Sequence, residues 1–430
     1  MKDLAEQLKS DGVGHPPGLG EIFPLRPLLM RRKHLTTHLR VGRELIRLLV
    51  ANAQRYVAGD PGRLRAILGQ DLAPAGPSPL HDAWHTGTWQ VNVASHHGTW
   101  RFTSFERGTI SPDIEGLATL SLAYERSAVS QVLRRDKASL ERANSRAVWA
   151  RSTLQAARRA VPEVRALRVG LLVAAAPSQE EQEEVEEEAA ALRRLGVEAA
   201  RLTVDEADVR SDRISDGFGT FDVMVYDRVA EGIATDAPVP RTVRELQAAA
   251  SETVFLRSHG TPIYSHDVLL AWLYEARDGY GPRYSRLIHD HVPPTFVVED
   301  RPALFEGTRT SLLNHLETRR DRYVLKGAGL HDGVTLVGRS VDERQWREAL
   351  EHAVGGHLAV VAQEVVEADE VSVPVWSNGE VRSEGSLRAP TTALYCGGDY
   401  AGAHVRLSSS GVAAAPDRSD LRSVLLTLDP

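Results

Sequence analysis

The chain has a single cysteine, Cys396, in 430 residues. No internal disulfide is open to it, and a reducing, cytoplasmic setting is the expectation. Also missing is any apolar run near the roughly 20 residues that span a bilayer. The opening residues, Met1-Lys-Asp-Leu-Ala-Glu-Gln-Leu-Lys9, lack the apolar stretch of a signal peptide. There is no basic surplus: 51 Lys and Arg face 58 Asp and Glu, for a net charge of −7. Such a balance draws the protein toward neither nucleic acid nor a membrane. Glycine and proline, 34 and 22 residues, are in ordinary supply, which excludes collagen-like and low-complexity designs. A globular protein of two or three domains remains.

Three zones differ in texture and predict domains over 1–165, 166–265 and 266–430. The first is mainly helical. Leu39, Val41, Leu45, Leu48 and Leu49 recur at helical spacing until Pro61-Gly62, and a second helical stretch covers roughly 113–160. Its arginines, among them Arg134, Arg135, Arg142 and Arg146, are interrupted by Asp136 and Glu141 and read as a solvated face. Between these helices, residues 88–95 and 99–106 alternate bulky and polar side chains around His96-His97-Gly98, the pattern of a β-hairpin.

The second zone is α/β. Arg168–Val173 reads as a buried strand, Pro177-Ser178 as a helix start, 179–195 as an acidic helix stopped by Gly196, and Val197–Val204 as a second strand. This βαβ unit predicts a parallel sheet, with Asp222–Tyr226 as a further strand. In the third zone a helix over Val268–Ala276 precedes a strand ending Val324-Leu325-Lys326. A glycine-rich loop (327–333), a return strand (334–338), a helix (342–354), a buried strand (358–366) and a hairpin-like pair (394–408) follow.

Lys326 is the strongest chemical signal. It closes a strand and opens Gly327-Ala-Gly329-Leu-His-Asp-Gly333, where backbone N–H groups can close over phosphate oxygens while the lysine supplies a point charge. The sequence is not a P-loop, and the bland alternative is a surface hairpin with a solvated lysine. His81-Asp82-Ala-Trp-His85 has the spacing of a zinc-binding helix. Pro79 before it, Gly87 after it and Asp in place of Glu favour surface or core histidines instead. Cys396 beside Gly397-Gly398 reads as a buried strand thiol, and Ser408-Ser-Ser-Gly411 as a turn.

Taken in order, the motifs resemble those of a known family. They are the strand–acidic helix–strand of 169–204, Tyr226-Asp227-Arg228, Ser265-His-Asp-Val-Leu-Leu270, Pro293-Pro-Thr-Phe296, Tyr323-Val-Leu-Lys326 with its glycine loop, Gln345-Trp346, Val361-Ala-Gln-Glu364, and Ala401-Gly-Ala-His-Val-Arg-Leu-Ser408. The chain resembles circularly permuted ATP-grasp proteins of the glutathionylspermidine synthase-like group. The resemblance implies a mixed α/β fold with a helical N-terminal part and a βαβ pre-ATP-grasp-like domain. It implies a ligase that uses ATP and Mg²⁺ to join a small-molecule or peptide carboxylate to an amine through an acyl phosphate. Carried over by motif, Lys326 and Arg406 would meet phosphate charge, and Gly327, Gly329 and Gly333 would approach the nucleotide. Gln363 and Glu364 would flank adenine, and Glu106, with Asn92 and Ser104, would hold the metal. Three departures stand out: Asn92 and Ser104 occupy positions that carry carboxylates in the family, Asp267 stands where the family often has lysine, and the glycine loop is short. They leave open a degenerate ATP-grasp protein that binds a ligand or partner without ligation, or a fold redirected to another reaction.

Overall fold

The alternating segment folds as two antiparallel strands, Thr88–His96 and Thr99–Arg107. The structure is a computed structural model that describes residues 22–24, 26–59, 88–107, 111–135, 139–226, 241–256, 267–305, 308–327, 335–356, 359–377, 380–383, 387–407 and 421–429. His97 and Gly98 form the turn with φ of 49° and 73°, the two left-handed residues that a tight hairpin turn requires.

This hairpin is one edge of a seven-stranded sheet. Thr391–Cys396 lies next to it, followed by Asp399–Leu407 and Leu421–Asp429; Leu28–Arg31 and Ser139–Glu141 flank the last of these. Strands far apart in the sequence therefore share one sheet. Its Trp89, Val91, Phe102 and Ala403 side pack on Leu45, Ile46 and Leu49 of the helix Arg32–Gly59. Each such buried large apolar side chain contributes about 1.5–3 kcal/mol. Leu394, Cys396, Val424 and Leu426 instead join Leu117, Leu120 and Trp149, from helices on the opposite side.

The stretch expected as one long helix over 113–160 is three helices, Ser111–Arg126, Ala128–Arg135 and Ser145–Ala160, with the strand Ser139–Glu141 before the third. The first break is at Ser127, whose hydroxyl donates to Tyr124 O at 2.6 Å. Asn144 opens the third helix by accepting from Ala147 N at 3.1 Å, a helix N-cap. Of the arginines here, Arg142 pairs with Glu125 and Arg146 with Glu187.

The βαβ unit is as the sequence predicts. Val254–Leu256, Val223–Val225, Arg168–Val173 and Glu198–Thr203 lie side by side and all parallel. The crossover helix Gln179–Arg193 starts at Ser178, whose hydroxyl accepts from Glu181 N.

A four-stranded antiparallel sheet carries the lysine strand, in the order Thr295–Val297, Val361–Glu364, Tyr323–Lys326, Leu336–Val337. Two of these strands are shorter than the expected 358–366 and 334–338. The helices Leu312–Thr318 and Glu343–Gly355 pack near it, tied together where Trp346 Nε1 donates to Leu316 O at 3.0 Å. Among the described residues no helix is long and apolar enough to cross a membrane.

Candidate active site

Lys326 ends the strand Tyr323–Lys326 and is buried, only 5% exposed. That excludes the solvated surface lysine of the bland reading. Its ammonium donates to Thr103 O, 2.9 Å away in the hairpin, and lies 3.9 Å from an Asp267 carboxylate oxygen. An ammonium has three N–H donors. Among the described residues one of them is spent on a hydrogen bond, while Asp267 is within Coulombic reach but beyond bonding distance. A buried charge with unspent donors suits an anionic ligand.

The next residue begins the glycine loop. Gly327 has φ of +148°, and a Cβ there would lie 2.7 Å from Ala359 O, so only glycine fits where the chain leaves the strand. Gly329 and Gly333 lie outside the described residues, as do His81, His85, Asp227, Arg228 and Ser408–Gly411.

Thr103 is itself a product of irregular register. Val93 pairs with Phe102 but Asn92 pairs with Ser104, leaving Thr103 as an extra, unpaired residue at a β-bulge. Bulges re-aim groups beside functional sites, and here the bulged residue presents its carbonyl to Lys326. The Thr103 hydroxyl donates to Asn92 O at 3.1 Å.

Asn92 and Ser104 face one another across the hairpin, with Asn92 Nδ2 donating to Ser104 Oγ at 2.7 Å. On the other side Asn92 Oδ1 accepts from the Thr392 hydroxyl at 2.5 Å. Register continues the row to His404. Thr392 and His404 were not singled out by motif; only the strand order brings them here. The magnesium implied by the resemblance would meet a neutral amide and a neutral hydroxyl already bonded to each other, and as held here this pair does not fit it. Glu106 sits opposite Gln90 in the hairpin register, but its side chain lies outside the described residues. Among the described residues no three or more His, Cys, Asp or Glu side chains group to hold a metal.

The remaining site residues separate by sheet face. Lys326 is opposite Val361, and Val324 and Thr295 are opposite Gln363, so Lys326 and Gln363 share a face. Gln363 is buried, and its amide donates to Thr295 Oγ1 at 3.1 Å. Glu364 points to the opposite face and pairs with Arg322, so the structure does not bring these two side chains together. Arg406 stands in the seven-stranded sheet two residues from His404, with its N–H donating to Pro390 O at 2.9 Å.

A second tie to the hairpin, from the segment just before the strand Glu370–Val371, was not legible in sequence. Asp369 accepts from Ser95 Oγ at 2.6 Å, His97 N at 2.7 Å and Gly98 N at 3.1 Å, gripping the hairpin turn. Burial raises its carboxyl pKa, but these donors outweigh burial and hold it below the ordinary carboxylate range.

No protein-family model matches the sequence, and no curated protein matches it either. The fold is similar to that of a glutathione synthetase-like effector (GSS30) from Globodera pallida, solved in its apo form. The TM-score is 0.57 at 10% identity, over 99% of this chain and 96% of that one. The likeness shows the fold alone. A putative gamma-glutamylcysteine synthetase from Methylobacillus flagellatus matches at TM-score 0.41 and 12% identity, over 88% of this chain and 86% of that one. D-alanyl-alanine synthetase A from Vibrio cholerae matches at 0.24 and 15%, over 54% and 68%. These last two superpose too loosely to bear on the argument.

Proposed function

We propose that the protein is an ATP-dependent carboxylate–amine ligase built on a circularly permuted ATP-grasp core. In this reading the permuted part of the core is in 1–165, a pre-ATP-grasp-like unit in 166–265, and the nucleotide-binding part in 266–430. The observation that carries it is Lys326, a buried ammonium at the junction of the two sheets with donors unspent among the described residues, followed at once by a glycine that no other residue can replace. The glutathione synthetase-like fold supports the same reading.

In the reaction a carboxylate oxygen attacks the γ-phosphorus of ATP and ADP leaves. The amine nitrogen then attacks the acyl carbon, loses a proton, and inorganic phosphate departs. Lys326 holds phosphate charge, with Arg406 contributing from the facing sheet, and Gly327, which lacks a side chain, lets the backbone come close to the phosphates. Burial of the lysine strengthens its electrostatic effect, and exclusion of water protects an acyl phosphate that would otherwise hydrolyse. The substrates are a small-molecule or peptide acid and an amine.

Hydroxylamine provides the test, because it intercepts acyl phosphates as hydroxamates. The protein, ATP and pooled amino acids should yield ADP and hydroxamate in equal amounts. ATP that goes unconsumed across acid and amine pools would contradict ligation.

A second reading, binding without ligation, is favoured by one feature: the charge around Lys326 is offset by Asp267, and the hairpin pair is neutral. It predicts that ATP raises the melting temperature while neither ADP nor hydroxamate forms.

A further inference from the structure

The hairpin pair that resembles metal ligands has a different task. Asn92 is held on every side. Its amide lies between the Ser104 hydroxyl at 2.7 Å and the Thr392 hydroxyl at 2.5 Å, and its backbone carbonyl accepts from Thr103 Oγ1 at 3.1 Å. Whichever way round the amide is placed, a hydroxyl meets each end, because hydroxyls both donate and accept. The bonds run laterally, strand to strand. Ligands to a hard cation would instead converge on a common point, and magnesium sites normally include one or two carboxylates among their oxygens. Both partners of this pair are uncharged, and Ser104 is 5% exposed.

The same residues bracket Thr103. Asn92 pairs with Ser104 immediately after the bulge, Val93 with Phe102 immediately before it, and the Thr103 carbonyl between them is the hydrogen-bond acceptor of Lys326. We infer that Asn92, Ser104 and Thr392 form a metal-independent clasp that fixes the Thr103 bulge and so seats the Lys326 ammonium. They are positioning residues for Lys326 and do not ligate a divalent ion. The inference concerns the site of the proposed ligase but does not require that ATP bind there.

The test uses the full chain and its Asn92→Ala variant, with Mn²⁺ alone as probe. Free Mn²⁺ is followed by electron paramagnetic resonance, melting by calorimetry, and Lys326 by its rate of modification with an amine-directed reagent and peptide mapping. Asn92→Ala should melt several degrees lower, and Lys326 should be modified faster, while Mn²⁺ binding is the same in both proteins, including none at all. Asn92→Asp, whose carboxylate accepts from both hydroxyls, should restore the melting temperature and the slow modification of Lys326. Wild-type Mn²⁺ binding that Asn92→Ala weakens about tenfold or more would overturn the inference. So would an Asn92→Ala protein whose melting and lysine reactivity are unchanged. If Asn92→Ala does not fold, Ser104→Ala takes its place under the same criteria. Absence of ATP binding would count against the nucleotide reading and would leave these readouts unaffected.

Discussion

The Lys326 ammonium and the Thr103 carbonyl, 2.9 Å apart, lie in two different sheets and 223 residues apart in sequence. One is the end of an ordered strand and the other is the extra residue of a bulge. Their contact places the glycine loop's first residue beside the edge of the seven-stranded sheet.

That contact carries stability as well as charge. A hydrogen bond from a charged donor contributes roughly 1.5–3 kcal/mol. Lys326→Ala should therefore fold with wild-type secondary structure but melt measurably lower by calorimetry, because Thr103 O loses its donor and Asp267 the cation 3.9 Å away. An unchanged melting temperature would show that the lysine is not seated as described.

Asp267 lies 3.9 Å from Lys326 and has no hydrogen bond to it. At such a separation opposite charges interact by about 4 kcal/mol at an effective dielectric near 20, much of it screened at a partly exposed site. Removing the carboxylate leaves the ammonium's charge available to a ligand. Asp267→Asn should tighten ATP binding several-fold in a calorimetric titration, with a steeper dependence on salt. Equal or weaker binding would mean that Asp267 does not oppose the anion.

How far the sequence revealed this arrangement depends on whether the signal was local. The hairpin, the βαβ unit and the lysine strand follow from alternation and turn residues within a few positions of each other, and they were legible. The helical stretch 113–160 was read as continuous, and its first break lies at Ser127, where no glycine or proline marks it. The strand Ser139–Glu141 pairs with Leu421–Asp429, and nothing near it in the sequence announces that partner. Asn92 and Ser104 were assigned to the metal through the motif resemblance, whereas the register beside the Thr103 bulge sets them face to face. Gln363 and Glu364 are neighbours in sequence, yet the pleat of the strand sends them to opposite faces. Asp369 grips a turn more than 270 positions away, and no local pattern could find it.

Acid should destabilise the protein through His38. Its ring stacks on Trp100 at a centroid distance of 4.7 Å. Burial, with the neighbouring His291 and His34, lowers its pKa from 6.5 to about 4. The unfolded chain thus binds a proton there between pH 6.5 and about 4 that the folded protein refuses, so stability falls as pH drops through that window. The shift corresponds to about 3 kcal/mol. Denaturant unfolding at pH 7 and pH 4.5 should show the larger part of this loss, about 2 kcal/mol, and His38→Phe should remove most of it. A His38→Phe protein with the wild-type slope would assign the acid sensitivity to other groups.

Asp369 predicts a different signature. Its depressed carboxyl keeps its contribution above the ordinary Asp pKa of 3.8 and loses it only as pH falls below that value. At neutral pH, Asp369→Ala should leave the strands intact but speed amide hydrogen exchange at His97 and Gly98, which lose their acceptor. Unchanged protection at those two amides would show that the turn holds without it.

The most direct test of the central claim is calorimetric melting of wild type and Lys326→Ala, each with and without ATP. A ligand that binds only the folded state stabilises it by about 2.7 kcal/mol at 100 times its Kd. The account predicts that ATP raises the melting temperature of wild type and leaves that of Lys326→Ala where it was. An equal rise in both proteins, or none in wild type, would contradict the claim that Lys326 is the phosphate seat of a nucleotide site.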